Sequence, residues 1–280
     1  ISLALSSTSA DAIGGYKAQL QGKDNTGFGG VTAAAATATA ATSTVGGGDL
    51  TFTTNSVETK VNITAADSAE KAAAKINAQS GDHGVTAQAQ TSVKLGMANG
   101  LGDVGFTLND TAITATTVTT KDQSALAQAI NDKTSETGVT AVHDITDGSI
   151  TLSNKTGADI TIEDYDHSVS GKAATLTALD NDGVATTTSA VTLTEGGSLD
   201  SARVMGTISL ASSKDFKVEG GTTLTDGDAN ATLNSVKDID LATETGAQNA
   251  LAIIDGALAQ IDSQRADLGA IQNRFSYTIS

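Results

Sequence analysis

Cysteine, proline and tryptophan are missing from these 280 residues, and aromatic side chains make up only 3 % of them. Without cysteine there are no disulfide staples and no thiol chemistry. With so few aromatics, the cores have to be thin and built from Val, Ile, Leu and Ala, which suits elongated domains. Cations are scarce too: 16 Lys and Arg stand against 32 Asp and Glu, a net charge of −16. The cations are scattered singly, which argues against nucleic acid and against anionic membrane, since both select clustered positive charge. No apolar run reaches the length of a membrane-spanning helix. A signal peptide is not expected either, because Ile1 opens what reads as a strand, Ile1 to Leu5. The length is enough for two or three ordinary domains.

What the sequence does have is a long terminal helix. From Thr245 to Ser280, Leu251, Ile254, Leu258, Ile261, Leu268, Phe275 and Ile279 recur at alternating steps of three and four, with Arg265 and Gln272 filling the two remaining places. This is the seam of a coiled coil. Thr245 and Gln248 form a capping box, so the helix should begin near Thr245. At about 1.5 Å per residue it would run roughly 54 Å, and it reaches Ser280 without a C-cap, which reads as a cut end. No other segment carries a matching heptad pattern, so the partner helices are expected from outside these residues. The competing reading is an amphipathic helix lying on the chain's own β structure. Gly246, Gly256 and Gly269 each cost about 1 kcal/mol in a helix interior, which suggests close helix approach.

The same stretch carries a resemblance. Gly246 to Leu251, Ala257 to Asp262, and the run Gln264-Arg265-Ala266-Asp267-Leu268-Gly269-Ala270-Ile271-Gln272-Asn273-Arg274-Phe275 are similar to the C-terminal D1 helix of bacterial flagellin. Ile1-Ser2-Leu3 and Ser9 to Gly14 resemble the point where flagellin leaves D1 for its variable outer domains. The resemblance implies a discontinuous partial D1 domain over 1–20 and 236–280, with a surface-exposed outer region (D2/D3-like) over 21–235. It further implies a structural subunit of the bacterial flagellar filament, outside the cell, exported through the flagellum's own channel, with other flagellin subunits as partners. Flagellins are also sensed by a host Toll-like receptor through D1, which would place possible subunit or receptor contacts at Gln264, Asp267 and Arg274. The resemblance puts most of that receptor contact on an N-terminal helix, so these residues alone should bind the receptor weakly or not at all. Arg265, on the seam, is expected to bury its stem, hold its guanidinium at the rim and pair with Asp262.

The middle of the chain contains an internal repeat. A shift of 54 residues superposes Gly46, Gly48 and Asp49 on Gly100, Gly102 and Asp103, and Phe52, Thr53 and Asn55 on Phe106, Thr107 and Asn109. The same shift carries Ile76-Asn77 to Ile130-Asn131 and Gly84-Val85-Thr86-Ala87 to Gly138-Val139-Thr140-Ala141. Two β-β-α-β modules, at about 46–99 and 100–153, follow from this. Their helices are expected at Ala66 to Ala78, opened by Asp67 or Ser68, and at Lys121 to Asp132, opened by Asp122. The buried stripes are Ala69, Ala72, Ala73 and Ile76 in the first, and Leu126, Ala129 and Ile130 in the second. Before the repeat, the Ala/Thr run from Val31 to Thr44 reads as extended. After it come a hairpin of Ile150 to Leu152 with Ile160 to Ile162, then further strands around Leu176, Val184, Val191 to Leu193, Val204 to Leu210 and Phe216 to Val218. Leu233 to Ile239 should lead back to the terminal helix. The fold class is α+β.

Chemistry-bearing motifs are thin. His83, His143 and His167 lack a second ligand at metal spacing and read as solvated surface residues. Asp180-Asn181-Asp182-Gly183 has the wrong spacing for a calcium loop and reads as a tight turn. Glu163, Asp164 and Asp166 crowd Tyr165 on an acidic surface. Gly46-Gly47-Gly48 lacks the lysine of a phosphate loop, and no nucleophile elbow is present. No catalytic residue, metal or cofactor is expected. A structural filament protein is the first reading, and an extracellular adhesin oligomerised by its helix is the alternative.

Overall fold

The computed structural model describes residues 7–34, 41–98, 101–196, 199–242 and 244–279, leaving out the side chains of 98, 244, 245, 248 and 277–279. The expected strand at Ile1 to Leu5, the Thr245–Gln248 capping box and the Ile279 side chain therefore lie outside the described residues. The rest is mostly β-sheet with a long C-terminal helix, an α+β chain.

In chain order, β1 (Gly14–Leu20) and β2 (Val31–Ala34) precede a hairpin of β3 (Gly48–Thr54) and β4 (Val57–Ile63). Helices α1 (Ala69–Ala78) and α2 (Ser80–His83) follow, then the 13-residue strand β5 (Thr86–Ala98). A second hairpin, β6 (Gly102–Leu108) and β7 (Thr111–Val118), leads through α3 (Ser124–Asn131) and α4 (Thr134–Thr137) to β8 (Thr140–His143). The remaining strands are β9 (Ile150–Asn154), β10 (Ile160–His167), β11 (Ala173–Leu179), β12 (Val191–Thr194), β13 (Ser201–Val204), β14 (Thr207–Ser212), β15 (Phe216–Glu219), β16 (Ala229–Asn230) and β17 (Thr232–Ser235). A 3-10 turn, Val236–Asp238, then leads towards α5 (Glu244–Ile279).

Among the described residues the strands form three sheets. The largest runs β12-β11-β5-β14-β1-β17, with β9 added to β5 and β8 to β9. A five-stranded sheet runs β2-β13-β10-β6-β7, and a four-stranded one β16-β15-β3-β4. Strand β5 joins the halves of the large sheet: Thr86 to Gln90 pair with β14, while Ser92 to Ala98 pair with β11. Two cores form. One gathers Phe52, Leu50, Ile63, Ile76 and Leu210, and the other Phe106, Leu108, Leu126, Ile130 and Ile162.

Local sequence explains the elements in both halves. Asn55 and Ser56 at φ 52° and 64°, and Asn109 and Asp110 at 45° and 64°, make the two-residue left-handed turns that close hairpins. Ser68 caps α1 by accepting from Lys71 N–H. Asn77 Nδ2 donates to Ala87 O and its Oδ1 accepts from Ala87 N–H, both at 2.8 Å; Asn131 makes the same pair of bonds with Ala141, also at 2.8 Å. Each clamps a helix to the strand that follows it.

Several expectations need correcting. β9 and β10 do not pair, because β9 lies on β5 and β8 while β10 lies between β6 and β13. The turn at Asn154 to Gly157 therefore crosses between sheets, with Gly157 O accepting from Glu70 N–H. In α3 it is Ala127, not Ala129, that is fully buried beside Leu126 and Ile130. Asp122 does not cap α3, whose N-cap is Gln123; its carboxylate accepts from Ser124 N–H and Oγ–H. Val184 lies outside the strands. Nor are the histidines all solvated. His83 is buried and stacks on Phe52 with ring centroids 4.4 Å apart, and His167 is buried with Nδ1 accepting from Val169 N–H.

Candidate assembly surface

The first half of α5 lies on β1. Ala250, Ile253 and Ala257 are buried there, and Gly256 brings the backbones together. A Cβ on Gly256 would fall 2.7 Å from Gly14 O and from Gly15 Cα, so only glycine fits this contact. Gln260 closes it with its side-chain amide, accepting from Gly14 N–H at 3.3 Å and donating to Gly14 O at 3.0 Å and Ser213 O at 3.3 Å. Nearer the start of the helix, Asn249, Lys17 and Gln19 converge on the carboxylate of Asp182. Burial by itself would raise the pKa of that carboxyl, but Lys17, Asn249 and Gln19 together hold it below the usual carboxylate range. The Asp180–Gly183 segment is a tight turn, as its composition suggests, with Gly183 N–H donating to Asp180 O.

The heptad residues face elsewhere. Leu251 is 66 % exposed, Leu258 55 % and Phe275 47 %, with Ile254, Arg265, Leu268 and Gln272 also exposed and Ile261 half-buried. Thus the face that docks on the chain's own sheet sits one residue before the seam throughout: 250, 253, 257 and 260 against 251, 254, 258 and 261. One residue is about 100° of helix rotation, so α5 carries two faces, one used within the chain and one presented outward. Arg265 Nη1 lies 3.7 Å from Asp262 Oδ1, a pair exposed on both sides and correspondingly weak. Gln264 is half-buried, and Asp267 and Arg274 are exposed. Gly269 has open space around it. The docking residues formed a readable pattern, a second stripe of small and apolar side chains spaced three and four. The more hydrophobic seam beside it masks that stripe in any search by hydropathy.

Comparison with known proteins bears on this surface directly. Residues 251–280 match the bacterial flagellin C-terminal helical region, and residues 49–100 match the flagellin hook IN motif. Both matches, and the relatives that follow, support a bacterial flagellin. It is similar to B-type flagellin of Pseudomonas aeruginosa, 35 % identical over 159 residues, covering 55 % of this chain and 32 % of that protein. Similarity to polar flagellin A of Vibrio parahaemolyticus is 63 % over 46 residues, covering 16 % of this chain and 12 % of the relative; flagellin A of Vibrio cholerae is 61 % identical over 46 residues with the same coverage. The chain thus spans a third or less of the length of these relatives. Among the described residues, no group of His, Cys, Asp or Glu could hold a metal, and no helix is long and apolar enough to cross a membrane.

Proposed function

We propose that this chain is part of a structural, non-catalytic subunit of the bacterial flagellar filament, acting outside the cell through self-association. The observation that carries this reading is the outward seam of α5, from Leu251 to Phe275, inside the segment that matches the flagellin C-terminal helical region. An apolar heptad stripe left in water is unfavourable, and helices from the remainder of the subunit or from its neighbours would bury it in coiled-coil fashion. Gln264, Asp267 and Arg274, beside the seam, are assigned to contacts with neighbouring subunits or with a flagellin-sensing host receptor. That receptor would bind these 280 residues alone only weakly.

In this reading, residues 1–20 and 236–280 belong to the filament core and 21–235 to the surface region. The latter contains two copies of one β-β-α-β module. Supporting the common module are the matched hairpin turns, the Asn77 and Asn131 clamps, and the left-handed Gly84 and Gly138, both at φ 71°.

The test is Leu251→Glu with Leu258→Glu in the full-length protein. Since both side chains are exposed here, circular dichroism should be unchanged while filaments disappear from electron micrographs. Filaments formed in normal yield would overturn the assignment of this face to packing.

A further inference from the structure

Where α5 crosses β1, an amine, a carboxamide and a carboxylate meet. Lys17 Nζ lies 3.0 Å from Asn249 Oδ1 and 2.7 Å from Asp182 Oδ1. Asn249 Nδ2 donates to that same Asp182 oxygen at 2.9 Å, and Gln19 Nε2 holds the other oxygen at 2.8 Å. The carboxylate is fixed from behind as well, because Asp180 Oδ1 accepts from the backbone N–H groups of Asp182 and Val184 and so sets the turn. The Lys17 side chain keeps only 18 % of its exposure, so its amine is held among these partners and not free in solvent. An ion pair needs only Lys17 and Asp182. What the pair alone does not explain is one carboxylate oxygen touching both the amine and the amide nitrogen while the amine reaches the amide carbonyl.

We propose that Lys17 and Asn249 join in an intramolecular isopeptide bond, with Asp182 moving the proton. Asp182 Oδ1 takes a proton from the Lys17 ammonium, and the freed amine attacks Asn249 Cγ, forming an N–C bond and a tetrahedral centre. The same carboxyl then returns that proton to Asn249 Nδ2, the Cγ–Nδ2 bond breaks, and the second proton of the attacking nitrogen leaves with the departing ammonia as ammonium. One ammonium and one primary amide become one secondary amide and one ammonium ion, so atoms, charge and electrons balance without oxidant, metal or cofactor. Ammonia has a way out, because Lys17, Gln19, Asp182 and Asn249 all line an open cleft of about 510 Å³. The bond would fasten α5 covalently to the sheet across 232 residues of sequence.

Mass spectrometry decides the matter. The full folded chain should weigh about 17 Da less than its sequence, the mass of one ammonia. Trypsin should fail to cut after Lys17 and should release a branched peptide joining Lys17 to Asn249. Lys17→Arg and Asp182→Asn should each restore the sequence mass, with circular dichroism confirming that they fold. If Asp182→Asn fails to fold, Lys17→Arg carries the control. A loss of ammonia that persists in Lys17→Arg is succinimide formation at Asn249 and overturns the proposal. So does the full sequence mass in the native chain after prolonged incubation, which would leave an ion pair and nothing more.

Discussion

His83 and Thr137 occupy matching places in the two halves and perform one task with different chemistry. His83 Nδ1 accepts from Val85 N–H, and Thr137 Oγ1 accepts from Val139 N–H, both at 3.1 Å. The imidazole pays for this choice in acid. Burial pushes its pKa below the ordinary 6.5, because the charged ring is poorly solvated beside Phe52. The unfolded chain therefore binds a proton that the folded chain refuses. Stability from His83 is complete above the ordinary value and drains as pH falls through it towards the folded one. In His83→Thr the lost stacking should cost about 1 kcal/mol at neutral pH. Urea unfolding near pH 5 should show that gap narrowed, and a gap that widens there would contradict the buried neutral imidazole.

At the scale of elements, α5 is held by contact of backbones, so its glycines are not equivalent. Gly256→Ala has to push the helix off β1 and should cost about 1–3 kcal/mol, seen as faster amide exchange in residues 246–260. Gly269→Ala meets open space and should stabilise the helix by up to about 1 kcal/mol. Equal gains from both would mean that the Gly256 contact is absent. The repeat makes its own prediction. Asn77→Ala and Asn131→Ala each remove two bonds to the next strand, so each should cost about 1–3 kcal/mol in chemical denaturation, and by similar amounts. The 54-residue repeat is legible in the sequence, and the two-residue turns at Asn55-Ser56 and Asn109-Asp110, which rely on the left-handed tolerance of Asn and Asp, fall at equivalent places in it. The β9–β10 pairing was misread for the converse reason. Two apolar runs around a turn look alike whether they pair with each other or leave for different sheets.

At the largest scale, the net charge of −16 on these 280 residues bears on the self-association proposed above. Copies of so acidic a chain repel at long range, and salt screens that repulsion with a Debye length of about 10 Å at 0.1 M. The proposed assembly of the full-length protein through the apolar face of α5 should therefore start sooner as sodium chloride rises from about 0.01 M to 0.1 M, measured by light scattering. Slower assembly with added salt would instead mean that ion pairs, such as those available to Asp267 and Arg274, dominate the contact.

Sequence alone determined the features whose cause is local or periodic. These are the long helix α5, the heptad spacing of its apolar residues from Leu251 to Phe275, the helices α1 and α3, and the lack of cysteine. It also carried the flagellin resemblance, since Arg265 to Phe275 is a run of contiguous residues. Tertiary structure decided what depends on residues far apart in the chain. It set the docking of Ala250, Ile253 and Gly256 on Gly14 and Gly15, the burial of His83 and His167, and the meeting of Lys17, Asp182 and Asn249. Strand partners and side-chain clusters of this kind are chosen by the competition of every segment for the same core. No spacing within a single segment records the outcome of that competition.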